Sequence, residues 1–276
     1  MFEVGEIYEN RLGEYRVIDI DRRSDEMILR YLDTGERLET SVTLQRRIFR
    51  NITWQYEEEA KQRRREKERA LRGHGDAFEG LDEDDFSMSI RGTSWRRREN
   101  LPGYVARELS FESSTIFSSW AIPYTPAAMI APSDDAHIYF HLEVNEERVY
   151  YGLAMDPAGQ RTVRAIRNSE RVRQAILNAE DEYGARLIAV ETLEDDRATY
   201  MDALAENAEL WDPVQSAEMS LDERIAQVAE EDEDTTIYLL ARMPREQAIE
   251  LGEDVGTEIA RMMATLLPVY NAIVLH

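Results

Sequence analysis

The stretch 137–155, HIYFHLEVNEERVYYGLAM, decides the fold class. Ile138, Phe140, Leu142 and Val144 alternate, Asn145 to Glu147 interrupt, and Val149, Tyr151 and Leu153 alternate again. A period of two places each set on one face of a strand, and the short polar turn between them makes an antiparallel hairpin. Helical periods and further strands follow. Residues 169–183 carry Val172, Ala175, Ile176 and Ala179 at helical spacing, and Gly184 is placed to end that helix. RLIAVET (186–192) and TIYLLARM (236–243) read as strands, and helices are expected over 195–211 and 221–230. Pro244 is placed to open another helix as a first-turn proline. The last stretch, 254–273, spaces Val255, Ile259, Met262, Met263, Leu266, Tyr270 and Ile273 by threes and fours, with Pro268 expected to kink or interrupt it. Residues 104–132 read as a strand followed by loops. Residues 104–276 therefore predict an acidic α+β domain with helices packed on one side of a mixed sheet.

Upstream, the chain changes character. Residues 1–100 carry a net charge of about −3, and residues 101–276 the remaining −20 of the total −23. The first fifty residues hold short strand patterns at 4–8, 14–21, 26–33 and 37–43, separated by turn signals at 12–13, 22–25 and 33–36. In EYRVIDID (14–21) the alternation of Tyr15 and Val17 changes phase to Ile18 and Ile20. Leu44, Ile48 and Ile52 then follow at helical spacing. This many strands in so short a segment predict a small β-barrel over 1–52.

The segment VGEIYENRLGEYRVIDIDRRSDEMILRYLDTGERLE (4–39) resembles the small SH3-like or Tudor-like barrels, over less than a fifth of the chain. The resemblance implies a meander of bent strands ending in a helical turn. It also implies a module attached to nucleic-acid-processing or defence proteins, or one that binds protein tails. Tudor readers hold a methylated side chain in an aromatic cage. Tyr8, Tyr15, Tyr31 and Trp54 could supply one here, while packing in the core or rim is the preferred reading of these residues.

Residues 53–72, TWQYEEEAKQRRREKERALR, predict a solvated helix in which Glu57 to Glu59 precede Lys61 and Arg63 at supporting spacing. Arg63, Arg64 and Arg65, extended upstream by Arg46, Arg47 and Arg50, form the strongest basic cluster, so nucleic acid could be bound through residues 46–72. The competing reading is a charged helix neutralised by its own glutamates. Residues 73–103, with glycines, acidic clusters and the short run Arg96 to Arg98 beside Trp95, read as flexible linker, in which Phe78, Phe86 and Trp95 are odd for a pure spacer and could dock onto one of the domains or onto a partner. A charged helix and linker over 53–103 are thus expected between the two folded parts.

Acidity on this scale opposes nucleic-acid binding except at a local basic face. The absence of cysteine excludes disulfides, thiol nucleophiles and cysteine-ligated metals. No apolar run reaches the roughly 18–20 residues that span a bilayer, and the acidic N-terminus lacks a signal-peptide shape, so a cytoplasmic location is expected. His137 and His141, four apart on a strand, lie about 13 Å apart, too far to share a metal. Asp135 and Glu143 resemble the carboxylates of divalent-metal nucleases, but Asn145 occupies the position where that pattern wants a lysine. No phosphate-binding glycine loop, dinucleotide fingerprint or serine elbow occurs. The expectation is a non-enzymatic binding or adaptor protein without cofactor. Its contact surface combines Tyr8, Tyr31 and the arginines, and a protein partner is expected. The alternative is a metal-dependent hydrolase using Asp135 and Glu143.

Overall fold

Tyr15, Val17, Met27, Leu29 and Tyr31 line one side of a four-stranded sheet and bury there with Phe2 and Val42. The computed structural model describes residues 2–86, 94–123, 125–155, 164, 166–191, 220–224 and 235–274. The chain divides into two compact units, 1–68 and 69–276. The first contains β1 (Ile7–Asn10), β2 (Gly13–Asp21), β3 (Glu26–Tyr31) and β4 (Arg37–Ser41), paired antiparallel in that order. The expected barrel is not formed: the order runs from β1 to β4, and these edge strands do not pair with each other. The predicted phase change in β2 is a β-bulge. Val17 faces Leu29 and Asp19 faces Ile28, so Ile18 is the extra residue.

α1 (Val42–Ala70) leaves β4 directly and merges two segments read separately, the 44–52 periodicity and the 53–72 helix. Asp25, at φ 59° in the β2–β3 turn, fixes its start: the carboxylate accepts from Thr43 N and Thr43 Oγ1, both at 2.9 Å. Ser41 Oγ adds a bond from Leu44 N. Only Val42 and Gln45 of the helix are buried, while Ile48 and Ile52 are half-buried.

The second unit is built on a six-stranded sheet of order β5-β6-β7-β8-β10-β9. Its strands are β5 (Ser118–Ala121), β6 (Ala127–Ala131), β7 (Ile138–Val144), β8 (Arg148–Met155), β9 (Arg186–Glu191) and β10 (Thr235–Pro244). The 137–155 hairpin is present, with Val144 paired to Val149. Every strand pair among the described residues is antiparallel, which corrects the expected mixed sheet. Phe140, Leu142, Val149, Tyr151, Leu153, Ile237 and Leu239 pack from one face into the main core. The helices contributing to that core are α2 (Leu101–Glu112), α3 (Glu170–Tyr183), α4 (Arg245–Leu251), α5 (Asp254–Thr265) and α6 (Leu267–Val274). Ser169 caps α3 and Gly184 ends it at φ 64°. Pro244 is the last residue of β10 and stands at the cap position of α4 rather than inside its first turn. The final helical stretch is interrupted between Thr265 and Leu267, just ahead of Pro268. The expected helix at 195–211 lies outside the described residues, as does all of the one at 221–230 beyond residue 224.

Two further segments differ from expectation. The start of 104–132 is helical, because Asn100 caps α2 through Leu101 N and Pro102 fits its first turn. The described parts of 73–103 are packed rather than free: Phe78, Leu81, Phe86, Trp95 and Leu101 join the main core. Gly75, Gly80 and Gly103, among the glycines that suggested flexibility, mark close backbone approach. A Cβ on Gly75 would lie 2.4 Å from Tyr104 Cα, and one on Gly103 would lie 1.6 Å from Arg98 O. Gly75 N also donates to Arg98 O at 3.0 Å.

Candidate nucleic-acid interface

At about 100° per residue, α1 sorts its charges by face. Arg46, Arg47, Arg50, Lys61, Arg64, Arg65 and Arg69 fall within an arc of about 140°. Glu57, Glu58 and Glu68 share that arc, while Glu59 and Glu66 lie opposite with Arg63 and Lys67. The helix therefore carries its net +4 on one face and is neutral on the other. Gln45, Ile48 and Ile52 mark the sheet-facing side, about 180° from the middle of the cationic arc.

Trp54 sits inside the cationic arc and is 60% exposed. One row along the helix runs Arg47, Arg50, Trp54, Glu58, Lys61, Arg65, at steps of three and four. Its basic ends lie about 27 Å apart along the axis. Glu58 bonds Lys61 at 2.9 Å, and Arg64 bonds Glu68 at 3.0 Å. Arg46, Arg47, Arg50 and Arg65 make no ion pair among the described residues. The glutamates thus neutralise part of the distal cluster and leave the proximal one open. Arg63 is exposed but lies on the other face, apart from Arg64 and Arg65.

The tyrosines do not form a cage. Tyr15 and Tyr31 are buried, and Tyr8 packs between Phe2 at 4.8 Å and Phe49 at 6.1 Å. Tyr31 Oη accepts from Asn10 Nδ2 at 3.0 Å, inside the unit. Burial, reinforced by Tyr31 and Tyr8, pushes the Tyr15 hydroxyl up to about 12. Tyr15 and Tyr31 are core and Tyr8 packs against it; of the exposed aromatics of α1, Phe49, Trp54 and Tyr56, Trp54 is the one within the cationic arc. Trp54 and both arginine clusters are plain in the sequence. Their shared face is not, because dividing the helix at residue 53 hides the common phase.

Unit 1 also holds a cleft of about 550 Å³ between α1 and the sheet, with Leu12, Leu38, Leu44, Ile48 and Ile52 among its walls. In the second unit, Asp135 is exposed ahead of β7 and accepts from Ser133, whereas Glu143 is buried near the end of that strand. His141 Nε2 lies 3.4 Å from Glu143 Oε2, and His137 is exposed. Among the described residues no group of three His, Asp or Glu is placed to hold a metal ion, and no helix is long and apolar enough to cross a membrane. No family model, curated protein or solved structure matches the chain.

Proposed function

We propose that this chain is a non-enzymatic binding protein that contacts a nucleic-acid backbone through the cationic face of α1. The observation that carries the reading is the row Arg47, Arg50, Trp54, Glu58, Lys61, Arg65 on the solvent side of one helix, with three arginines in it that make no ion pair among the described residues. Guanidinium groups in a row neutralise phosphates without reading bases. An exposed indole among them offers a stacking surface for an unpaired base. Single strands are therefore favoured over duplex. The phosphate contacts make any such complex salt-dependent, and the chain's net charge of −23 weakens it. In this reading the protein works in the cytoplasm as an adaptor, and its N-terminal unit is an opened relative of the SH3-like modules, with the bulged β2 supplying the bend. The hydrolase alternative is weaker, because Asp135 and Glu143 stand at opposite ends of β7.

A second reading has its own observation. The apolar cleft beside α1 would accept the side chains of a protein tail.

The deciding experiment measures binding of single- and double-stranded oligonucleotides to the full chain across a salt series. Replacing Arg47, Arg50 and Arg65 by glutamine should lower the salt slope by about 2–3 for single strands. Trp54→Ala should weaken single-strand binding by about 1–3 kcal/mol and leave duplex binding nearly unchanged. Absence of binding at low salt would remove the nucleic-acid reading and leave the cleft.

A further inference from the structure

The six-stranded sheet has a second face, turned away from the main core, where Tyr150, Ala154, Ile188, Tyr238 and Leu240 form a separate cluster. The register gives this face an ordered polar end. Glu143 on β7 faces Tyr150 on β8, and Tyr150 faces Arg242 on β10. Arg148, two residues before Tyr150, and Arg186 on β9, paired with Leu240, project on the same side. Three arginines thus gather on adjacent strands, in a region of the chain whose net charge is −20.

Two of them, Arg148 and Arg242, border a cleft of about 580 Å³ that Arg245 also lines. The same cleft has Glu146, Glu147 and Glu246 in its lining, but these are exposed while Arg148, Arg242 and Arg245 are half-buried. Water screens the rim carboxylates more than it screens the arginines. Arg245 has a structural assignment: it pairs with Glu83, lies 5.5 Å from the centre of the Phe86 ring and reaches Glu146 O. Arg148 meets its neighbour Glu147 only at 3.9 Å. The turn that presents Arg148 is rigid, since Asn145 Oδ1 accepts from Glu147 N and Arg148 N at 3.1 and 2.9 Å.

We propose that this cleft is an anion site for a phosphate group, with Arg148 and Arg242 as its two guanidinium ligands and buried Tyr150 as the positioning residue between them. Two adjacent guanidiniums match the oxygens of a tetrahedral dianion and make the strong, charge-assisted class of hydrogen bond. The crowding is felt by the residues themselves. Burial first, then the nearby charges of Arg148 and Arg186, lower the Arg242 pKa from its ordinary value. A bound dianion relieves that repulsion. Burial also raises the Tyr150 pKa, keeping its hydroxyl neutral beside the arginines.

The test is calorimetry on the full chain at constant ionic strength, with inorganic phosphate, phosphoserine, adenosine 5′-monophosphate and citrate as probes. The expected result is one site per chain that takes a phosphate group and rejects citrate. The phosphoserine and nucleotide arms distinguish a phosphoryl group on a larger molecule from the free ion. Arg148→Gln and Arg242→Gln should each weaken binding at least tenfold. Arg173→Gln, whose partner is Asp222 elsewhere on the surface, should leave it unchanged. Glu147→Gln, at the exposed rim, should tighten it two- to threefold. The α1 triple variant should bind as the wild type does, which separates this site from the proposed nucleic-acid face. Absence of binding to any phosphate probe, or equal affinity in the Arg148 and Arg242 variants, overturns the assignment.

Discussion

Asp25 adopts a backbone conformation that few non-glycine residues take, and its carboxylate holds the first turn of α1 through Thr43. Asp25→Ala should lower unfolding stability by about 1 kcal/mol, read from urea melts, and Asp25→Asn by less. Gly103 presents the opposite constraint, a lack of space. Because a Cβ there would fall 1.6 Å from Arg98 O, Gly103→Ala should destabilise the second unit by about 3 kcal/mol or more, measured the same way. Tyr15 supplies a pH signature. Its folded value of about 12 stands above the ordinary 10.0, so the native state holds the proton more tightly than the unfolded chain. That stabilisation is fully present below pH 10 and is lost as pH rises through about 12. In rapid absorbance titration at 295 nm, Tyr15→Phe should remove one tyrosine's amplitude from the late step. Loss from the step near 10 would contradict the assigned burial. The Asp25 constraint was not legible beforehand, since it depends on Thr43, distant in sequence, and the one at Gly103 depends on how residues 94–100 fold back onto it; the packing of Tyr15 agrees with the core reading of the aromatics, and only its neighbours Tyr31 and Tyr8 were hidden.

Elements were legible where their period was long and uninterrupted. The β7–β8 hairpin, the capped helix α3 and the break ahead of Pro268 all stand as the residues predict. Legibility failed where a few apolar residues sit among glycine and charge. Phe78, Phe86 and Trp95 each fill a place in the core without repeating at any period, so 73–103 resembled a spacer even though the three rings themselves hinted at docking. α1 is the intermediate case. Its pattern was visible, but its apolar face fades after Ile52 and the helix continues on charge pairing, with Lys61–Glu58, Arg64–Glu68 and Gln62–Glu66 bonded along it. Ala60→Pro should therefore remove helical signal at 222 nm worth about ten residues. It should leave the urea midpoint of the first unit nearly unchanged, because no residue of α1 beyond Gln45 is buried.

Across the whole molecule, the two units have separate apolar clusters. One centres on Tyr15, Met27 and Leu29, the other on the face of β7, β8 and β10 that packs against the helices. Separate cores predict separable unfolding. Leu29→Ala should lower one calorimetric transition and Leu153→Ala the other, each by about 2–5 kcal/mol. A single transition shifted by both substitutions would show that the units unfold as one. The charge division read at residue 100 does not coincide with the structural one at 68, because residues 69–100 are near neutral yet belong to the second unit. Composition reports where charge changes, and packing reports where cores change. The candidate sites were legible to the same degree: the arginine runs were plain, but the gathering of Arg148, Arg186 and Arg242 spans three strands and needed the β8–β10–β9 order to be seen.

The cationic row on α1 is a property of angular phase, and phase is disturbed differently from composition. One residue inserted between Trp54 and Lys61 turns Lys61 and Arg65 by about 100° away from the indole, without removing a single charge. A seven-residue insertion turns them by only about 20° and lengthens the row by about 10 Å. Insertions in this stretch are therefore expected to be tolerated near whole numbers of helical turns, at about four, seven or eleven residues, and to uncouple the two arginine clusters at one, two, five or nine, a periodicity that binding measurements on an insertion ladder would display directly.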